Sequence, residues 1–470
     1  MRKTIIMLVS FQISVLHASG LLKPFNGSLR ELEEQNRFLI KRMEDIEKEI
    51  SILGKKLGKR REKTGEKIDS GCWKKRLSPG EKRGRWTLSG SIRSRFETKI
   101  YQSHNGRKKS NAEFIGQRSR LKFKGKISGR SFITLRFQDR RNFGDNGQMT
   151  DNGENTELNL ACFDCRDILP KTCLRIGRQE LTIGDVVSPR PWSNQGLTFD
   201  AVRFSRALAS GNKLDFFYSR IVEDNDKAGN DTDFGGIFAR FLNWKNIKYH
   251  IHFLSRRDNK KDQSLNHFGL KITSKRNNWS YGIQGGIQRG KQVKADIRAS
   301  EGHLNLGYTF KGKKRVKLGI EHSWASGDEN PGDGEQKTYN LLYPRNRRRY
   351  GIINLFGFRN ISEFVGTVSH NPCKKSHLKL SYHQIRLAEN NDDLYNCKGK
   401  AYKRASGSQT GTFCHNIGTE FDLIYKYRYS KQLSLLLGGG IFEGGNLVKM
   451  EYPLLDGTRY FYFGTMYSFQ

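Results

Sequence analysis

The feature that most constrains this chain is a two-residue rhythm that begins at Trp86. Trp86, Leu88, Gly90, Ile92, Ser94, Phe96, Thr98 and Ile100 alternate with Thr87, Ser89, Ser91, Arg93, Arg95, Glu97, Lys99 and Tyr101. A β-strand turns successive side chains to opposite faces, so one face here is largely apolar and the other largely charged. The division recurs. Ile115, Leu121 and Phe123 oppose Arg118, Arg120, Lys122 and Lys124. Leu304, Leu306, Tyr308 and Phe310 oppose His303, Asn305 and Thr309, and Phe421, Leu423, Tyr425 and Tyr427 oppose Asp422, Lys426 and Arg428. An apolar face suits acyl chains and a charged face suits an aqueous lumen. Hydrophobic residues make up only 35% of the 470-residue chain. After the N-terminus, no stretch reaches the ~18 consecutive apolar residues of a spanning helix, which excludes a polytopic helical membrane protein. A disordered chain would be poorer in aromatics than the 11% found here. The expected fold is all-β, a transmembrane antiparallel β-barrel of about 18 strands over residues 86–470.

Connections alternate in length. Short, turn-rich ones fall at 126–130, 207–212, 244–246, 275–278, 311–314 and 430–431. Long polar ones are expected at 102–113, 140–156, 180–197, 223–233, 255–265, 289–301, 326–349, 388–416 and 443–457. Outer-membrane barrels have short periplasmic turns and long extracellular loops. The segment 359–377 is long for a periplasmic turn and is expected to plug the pore. The last strand carries Phe461, Phe463, Tyr467 and Phe469 on one face, a pattern suited to barrel-assembly machinery, although the chain ends on Gln470.

At the N-terminus, Arg2 and Lys3 precede an apolar run from Thr4 to Leu16, and small residues from Ala18 to Gly20 follow. This predicts a signal peptide over 1–20. Export argues against nucleic acid as the partner, despite a formal charge of +37. Residues 28–57 carry a heptad through Leu29, Leu32, Asn36, Leu39, Met43, Ile46, Ile50, Leu53 and Leu57. That spacing predicts a periplasmic coiled coil and hence a homo-oligomer such as a trimer, with Asn36 fixing register. A lone amphipathic helix is the alternative. Residues 58–85 read as a basic linker, a solvated tether that could also touch anionic cell-wall polymer or lipid head groups.

Two stretches are more specific than periodicity. The first is Leu174-Arg-Ile-Gly-Arg-Gln-Glu-Leu181, followed by Ile183-Gly-Asp185, Trp192-Ser-Asn194, Gly196 and Phe199-Asp-Ala-Val-Arg203. The second is Ala325-Ser-Gly-Asp328, Asn330-Pro331, Gly332-Asp333-Gly334, Leu342-Tyr-Pro344, Tyr350-Gly351 and Arg359-Asn-Ile361. Together they resemble the alginate export family of outer-membrane barrels over about residues 86–470. The resemblance implies an 18-stranded barrel whose electropositive constriction passes an anionic polysaccharide. It implies pore-facing arginines at Arg93, Arg95, Arg118, Arg120, Arg136 and Arg178, with Arg203 in the Phe-Asp-Ala-Val-Arg match. It also implies acidic residues near the constriction, at Glu97, Asp139, Glu180 and Asp185. The chain departs from the family in its N-terminal heptads, in Val186-Val-Ser-Pro189, where many members are more polar, and in basic outer loops such as Arg345 and Arg347-Arg-Arg349. Physics agrees with the family reading. Clustered guanidiniums in a low-dielectric tube concentrate anions, and arginine pairs well with carboxylate.

The seven cysteines belong to an exported chain, where disulfides form. Cys397 and Cys414 share one outer loop and suit a disulfide. Cys162, Cys165 and Cys173 surround a short turn, where two could pair; Cys373 lies in another turn and Cys72 in the linker. Cys162-Phe-Asp-Cys165 lacks partners at zinc spacing. Asp328, Asn330, Asp333 and Glu335 offer oxygen ligands for calcium, but the spacing departs from the EF-hand and a polar outer loop is the better reading. His250 and His252 read as lumen lining. No G-x-S-x-G, H-E-x-x-H or P-loop is present, so neither an enzyme nor a cofactor is expected. The expected function is an outer-membrane channel that passes anionic solutes or an alginate-like polysaccharide. The alternatives are a general diffusion porin and a surface protein that anchors cell wall or outer-surface glycan.

Overall fold

The computed structural model describes residues 86–101, 110–143, 156–222, 231–242, 247–312, 316–344, 347, 349–403 and 415–469. The signal peptide, heptad segment and linker, together with Cys72, Cys414 and Arg345, lie outside the described residues.

The strands, in chain order, are β1 (Trp86–Tyr101), β2 (Ser110–Lys126), β3 (Ser131–Asn142), β4 (Thr156–Arg166), β5 (Thr172–Gln179), β6 (Phe199–Ala207) and β7 (Lys213–Val222). Next come β8 (Thr232–Leu242), β9 (Ile247–Asp258), β10 (Gln263–Arg276), β11 (Trp279–Gln292), β12 (Ala295–Thr309), β13 (Lys317–Ala325) and β14 (Glu335–Gln336). The last are β15 (Ile361–His370), β16 (Ser376–Leu387), β17 (Asn416–Arg428), β18 (Leu433–Gly444) and β19 (Arg459–Phe469), with one short helix, α1 (Asn446–Glu451), before β19. Sequential strands pair antiparallel, and β1 pairs with both β2 and β19, so the sheet closes on itself. The two-residue β14 stands apart from the wall, pairing parallel with β12, and the other eighteen strands form the barrel. No helix among the described residues is long and apolar enough to cross a membrane; the strands are the spanning elements.

The two-residue rhythm sorts side chains as the sequence requires. Ile92 is 46% exposed on the outer surface while its neighbour Arg93 is 5% exposed. Aromatic side chains gather at the short-turn end, where Trp279 packs on Tyr308 with ring centroids 4.7 Å apart and Tyr308 on Phe310 at 5.0 Å. Such amphipathic rings suit a membrane interface.

Two expected loops are mostly strand. β9 and β10 are joined through 259–262, and β11 and β12 through 293–294, so 255–265 and 289–301 belong largely to long hairpins. Both ends of those hairpins are polar on both faces, as at Arg256-Arg257 and Gln288-Arg289, and therefore read as loop from sequence. The expected plug at 359–377 is also corrected. It contains β15, whose link to β16 is only 371–375. The segment that enters the barrel is 326–360 instead.

That segment brings apolar side chains with it. Tyr339, Tyr350, Ile352, Ile353, Leu355 and Phe356 pack with wall residues Ile385, Ile417 and Phe442. A second cluster joins Leu181, Ile183, Val186 and Val187 to Phe199, Phe234, Leu254 and Leu265. Val187, in the stretch that departs from the family pattern, is fully buried and bridges to Tyr343. Part of the expected aqueous lumen is thus an internal core. Burial of each large side chain there favours the docked loops by about 1.5–3 kcal/mol.

Candidate pore-lining site

Register sets the charges side by side. Arg93 lies opposite Arg118 on β1 and β2, Arg120 opposite Gln138, and Lys122 opposite Arg136 on β2 and β3. The period of two carries Arg95 and Glu97 onto the same lumenal patch as Arg93. The connection 180–198 folds over this patch. Arg93 donates to the carbonyls of Pro191 and Trp192, each at 2.8 Å, and to Asn194 Oδ1 at 2.6 Å. Arg118 donates to Ser193 O at 2.9 Å. Arg95 donates to Trp192 O at 3.1 Å, stacks 4.1 Å over the Trp192 ring, and donates to Glu97 Oε1 at 2.6 Å. Arg120 donates to Gln138 Oε1 at 2.6 Å, and Gln138 in turn donates to Gln195 O at 2.8 Å. Arg136 reaches Glu180 Oε1 at 2.7 Å. Among the described residues, Arg93, Arg118 and Arg120 bond neutral oxygens and have no carboxylate partner.

The segment 326–360 docks beside them. Arg347 donates to Glu97 Oε2 at 3.0 Å and to Ile352 O at 2.9 Å. Its guanidinium lies 4.4 Å from the Tyr460 ring and 4.7 Å from that of Trp192, and Tyr460 Oη donates to Glu97. On β17, three strands round the wall from β1, Glu420 and Asp422 accept from the backbone N–H groups of Ile353 and Ile352 at 2.9 and 3.0 Å. Arg347 and Arg349, expected in a basic outer loop, are therefore internal.

A second cationic region surrounds a cavity of about 300 Å³ lined by Glu180, Arg203, Asp215, Arg240, His250 and Lys271. Lys271 meets Asp185 at 2.7 Å, Arg349 lies 3.5 Å from the same carboxylate, and Arg203 meets Asp215 at 2.9 Å. The structure thus brings together Arg93, Arg95, Glu97, Arg118, Arg120, Arg136 and Glu180 at one patch, and Asp185 and Arg203 near a second.

Two expected residues point elsewhere. Arg178 pairs with Asp200 at 2.9 Å on the outer face of β5 and β6, beside exposed Ile176 and Val202. Asp139 shares the outer face of β3 with Phe137 and binds Arg141. Each stands an odd number of residues from a lumenal arginine, Arg175 and Arg136 respectively, so period two forbids a shared face. Arg175 is the lumenal arginine of β5, bound to Asp164 at 2.5 and 2.8 Å. Strict parity counting would have found it. Sequence reasoning also missed the buried chain in which His383 bridges Glu363 at 2.7 Å and Asp422 at 3.2 Å, because it spans three strands. His252 and His267 stack 5.1 Å apart, and His267 meets Tyr339 Oη at 3.1 Å.

Cys162, Cys165 and Cys173 are unpaired thiols. Cys162 and Cys165 are an odd step apart on β4 and point to opposite faces. Cys162 lies opposite Gly177 and Cys173 opposite Arg166, too distant in register to bridge. Asp328 accepts from the backbone N–H of Asn330 at 3.3 Å, and Lys337 pairs with Glu329 at 2.8 Å, so the acidic loop satisfies its own backbone and lysine. Among the described residues no His, Cys, Asp and Glu group is arranged to hold a metal.

An eighteen-stranded closed barrel, apolar outside and charged within, with long connections folded inward, defines an outer-membrane channel of the porin type. The sequence matches the alginate export family over residues 85–459, and the chain belongs to that family. Among solved structures, OccAB3 of Acinetobacter baumannii superposes with a TM-score of 0.58 at 11% identity, covering 82% of this chain and 99% of that one. OccK11 (OpdR) of Pseudomonas aeruginosa gives 0.55 at 12% identity, covering 81% and 95%, and the outer membrane protein OprD of that organism gives 0.54 at 12%, covering 82% and 94%. These likenesses concern the fold. No curated protein sequence gives a significant match.

Proposed function

We propose that this barrel passes an anionic polysaccharide of the alginate type, or small anionic solutes, through a lumen made positive by arginine. The observation that carries the reading is the patch on β1 and β2. Arg93, Arg118 and Arg120 keep their charge without a carboxylate partner among the described residues, because their hydrogen bonds go to neutral oxygens of the 190–195 loop and Gln138. Hydrogen bonding to carbonyls fixes guanidiniums in place without cancelling their field. In a low-dielectric tube such a field draws anions in and repels cations. Arg240, on the neighbouring cavity, extends it past the loop, while Arg203 and Lys271 there are held by Asp215 and Asp185. Each contact must stay weak enough for release, and the nearby acids Glu97, Glu180 and Asp185 moderate it. Family membership supports the polymer as cargo. The heptads of 28–57 support a periplasmic N-terminal region that oligomerises the channel.

The test is current blockade in planar bilayers. Oligomannuronate should interrupt open-channel current at micromolar to millimolar concentrations, and a neutral oligosaccharide of equal length should not. Equal blockade by both would favour a general diffusion porin. No conductance at all would leave only the anchoring role.

A further inference from the structure

The short-turn end of the barrel holds a feature that neither loop explains. Between the turn 371–375 and the turn 429–432 lies a cavity of about 940 Å³. That is within the range of roughly 300–1,000 Å³ typical of ligand sites. Lys374, Lys375, His377, Lys426 and Arg428 line it, and no carboxylate does. His377 lies opposite Lys426 in the ladder, and Lys426 and Arg428 share the lumenal face of β17 with Asp422. Among the described residues none of the five carries a salt bridge. The site is nonetheless ordered by hydrogen bonds. The Arg428 backbone N–H donates to Lys375 O at 2.7 Å and its guanidinium to Lys374 O at 3.2 Å, while His377 Nδ1 meets Asn371 Oδ1 at 2.8 Å. Cationic side chains facing one cavity repel each other, and a bound anion relieves that repulsion.

We propose that this mouth is an oxyanion-binding site that takes the carboxylates or phosphates of an anionic chain or head group. It deepens the channel reading, on which it rests only for the identity of the ligand, by giving a transported polyanion an entry subsite. The alternative source of the same chemistry is an anionic lipid head group at the periplasmic rim.

Cys373, on the cavity lining and exposed, is a built-in reporter. The Ser376 hydroxyl and backbone N–H groups of the turn hold its thiol below the usual range, so it reacts readily with iodoacetamide. The experiment follows alkylation of Cys373 by peptide mass spectrometry in the intact, purified chain. Oligomannuronate at several times Kd should slow it roughly fivefold, and a neutral oligosaccharide should not. The double variant Lys426→Gln, Arg428→Gln should abolish that protection while retaining heat-modifiable migration of the folded barrel. In nanodiscs, protection by phosphatidylglycerol over phosphatidylcholine, with no effect of oligomannuronate, assigns the site to the head group. Absence of protection by either anion overturns the proposal, as does full protection in the double variant. An Arg118→Gln, Arg120→Gln barrel should retain protection. In the parent barrel, protection of Cys373 without anion selectivity overturns the channel reading alone, and anion selectivity without protection overturns this site alone.

Discussion

Arg347 donates to Glu97 across 250 residues of sequence, at 3.0 Å from Nη2 to Oε2, and so ties the inserted segment to the first strand of the barrel. Because Arg347 also packs on Trp192 and Tyr460, one guanidinium touches both inserted connections and the wall.

Arg347→Ala should release the segment at this point. Breaking a buried ion pair typically costs ~3–5 kcal/mol; here about 2 kcal/mol is expected, because Glu97 keeps Arg95 and Tyr460. Single-channel recordings should show higher open conductance and more frequent transitions. Conductance identical to that of the parent would mean that the segment does not restrict the bore.

Gly351 sets the second anchor. Its φ is +75°, a left-handed conformation, and an added Cβ would collide with the Glu420 carboxylate. Gly351→Ala should therefore unseat Ile352 and Ile353 from Asp422 and Glu420. Hydrogen exchange at those two amides should accelerate at least about tenfold, equivalent to ~1.4 kcal/mol. Asp422→Asn, which keeps a carbonyl oxygen as acceptor, should have a smaller effect at the same amides.

The outer face responds to charge in the opposite way from the lumen. Ile283 is 50% exposed on the surface assigned to lipid. Ile283→Arg should cost about 2–4 kcal/mol in reversible urea unfolding from bilayers if the site lies near the midplane. Lys122→Gln, on the lumenal face, should stay within about 0.5 kcal/mol. Similar costs for both would contradict the division of faces.

The sequence reported the wall far better than its contents. Alternation is local, so Arg93 and Ile92 declare their faces without any tertiary information, and the even strand number follows from turn spacing. The hairpin ends at Arg256 and Gln288 were illegible because their two faces are equally polar. Arg178 and Asp139 follow the family resemblance in residue type, but strand parity turns both to the outer face. The folding-in of 326–360 depends on contacts such as Glu97 with Arg347 and Asp422 with Ile352, between positions far apart in the chain. No periodicity encodes those partners, although the apolar run from Tyr350 to Phe356 is unusual for an outer loop and hinted at a buried destination.

Salt should weaken selectivity without changing conductance order among the variants. The Debye length shrinks from ~10 Å at 0.1 M to ~3 Å at 1 M. Selectivity carried by fixed lumenal guanidiniums should decline over that range, as measured by permeability ratios at each ionic strength. A ratio independent of salt would point to size selection instead.

The most direct test of the positive lumen is the reversal potential of single channels in a potassium chloride gradient. The parent barrel should reverse on the chloride side of zero, and Arg118→Gln with Arg120→Gln should move it toward zero with the barrel still folded. A parent channel that prefers potassium, or a double variant with an unchanged reversal potential, would contradict the account.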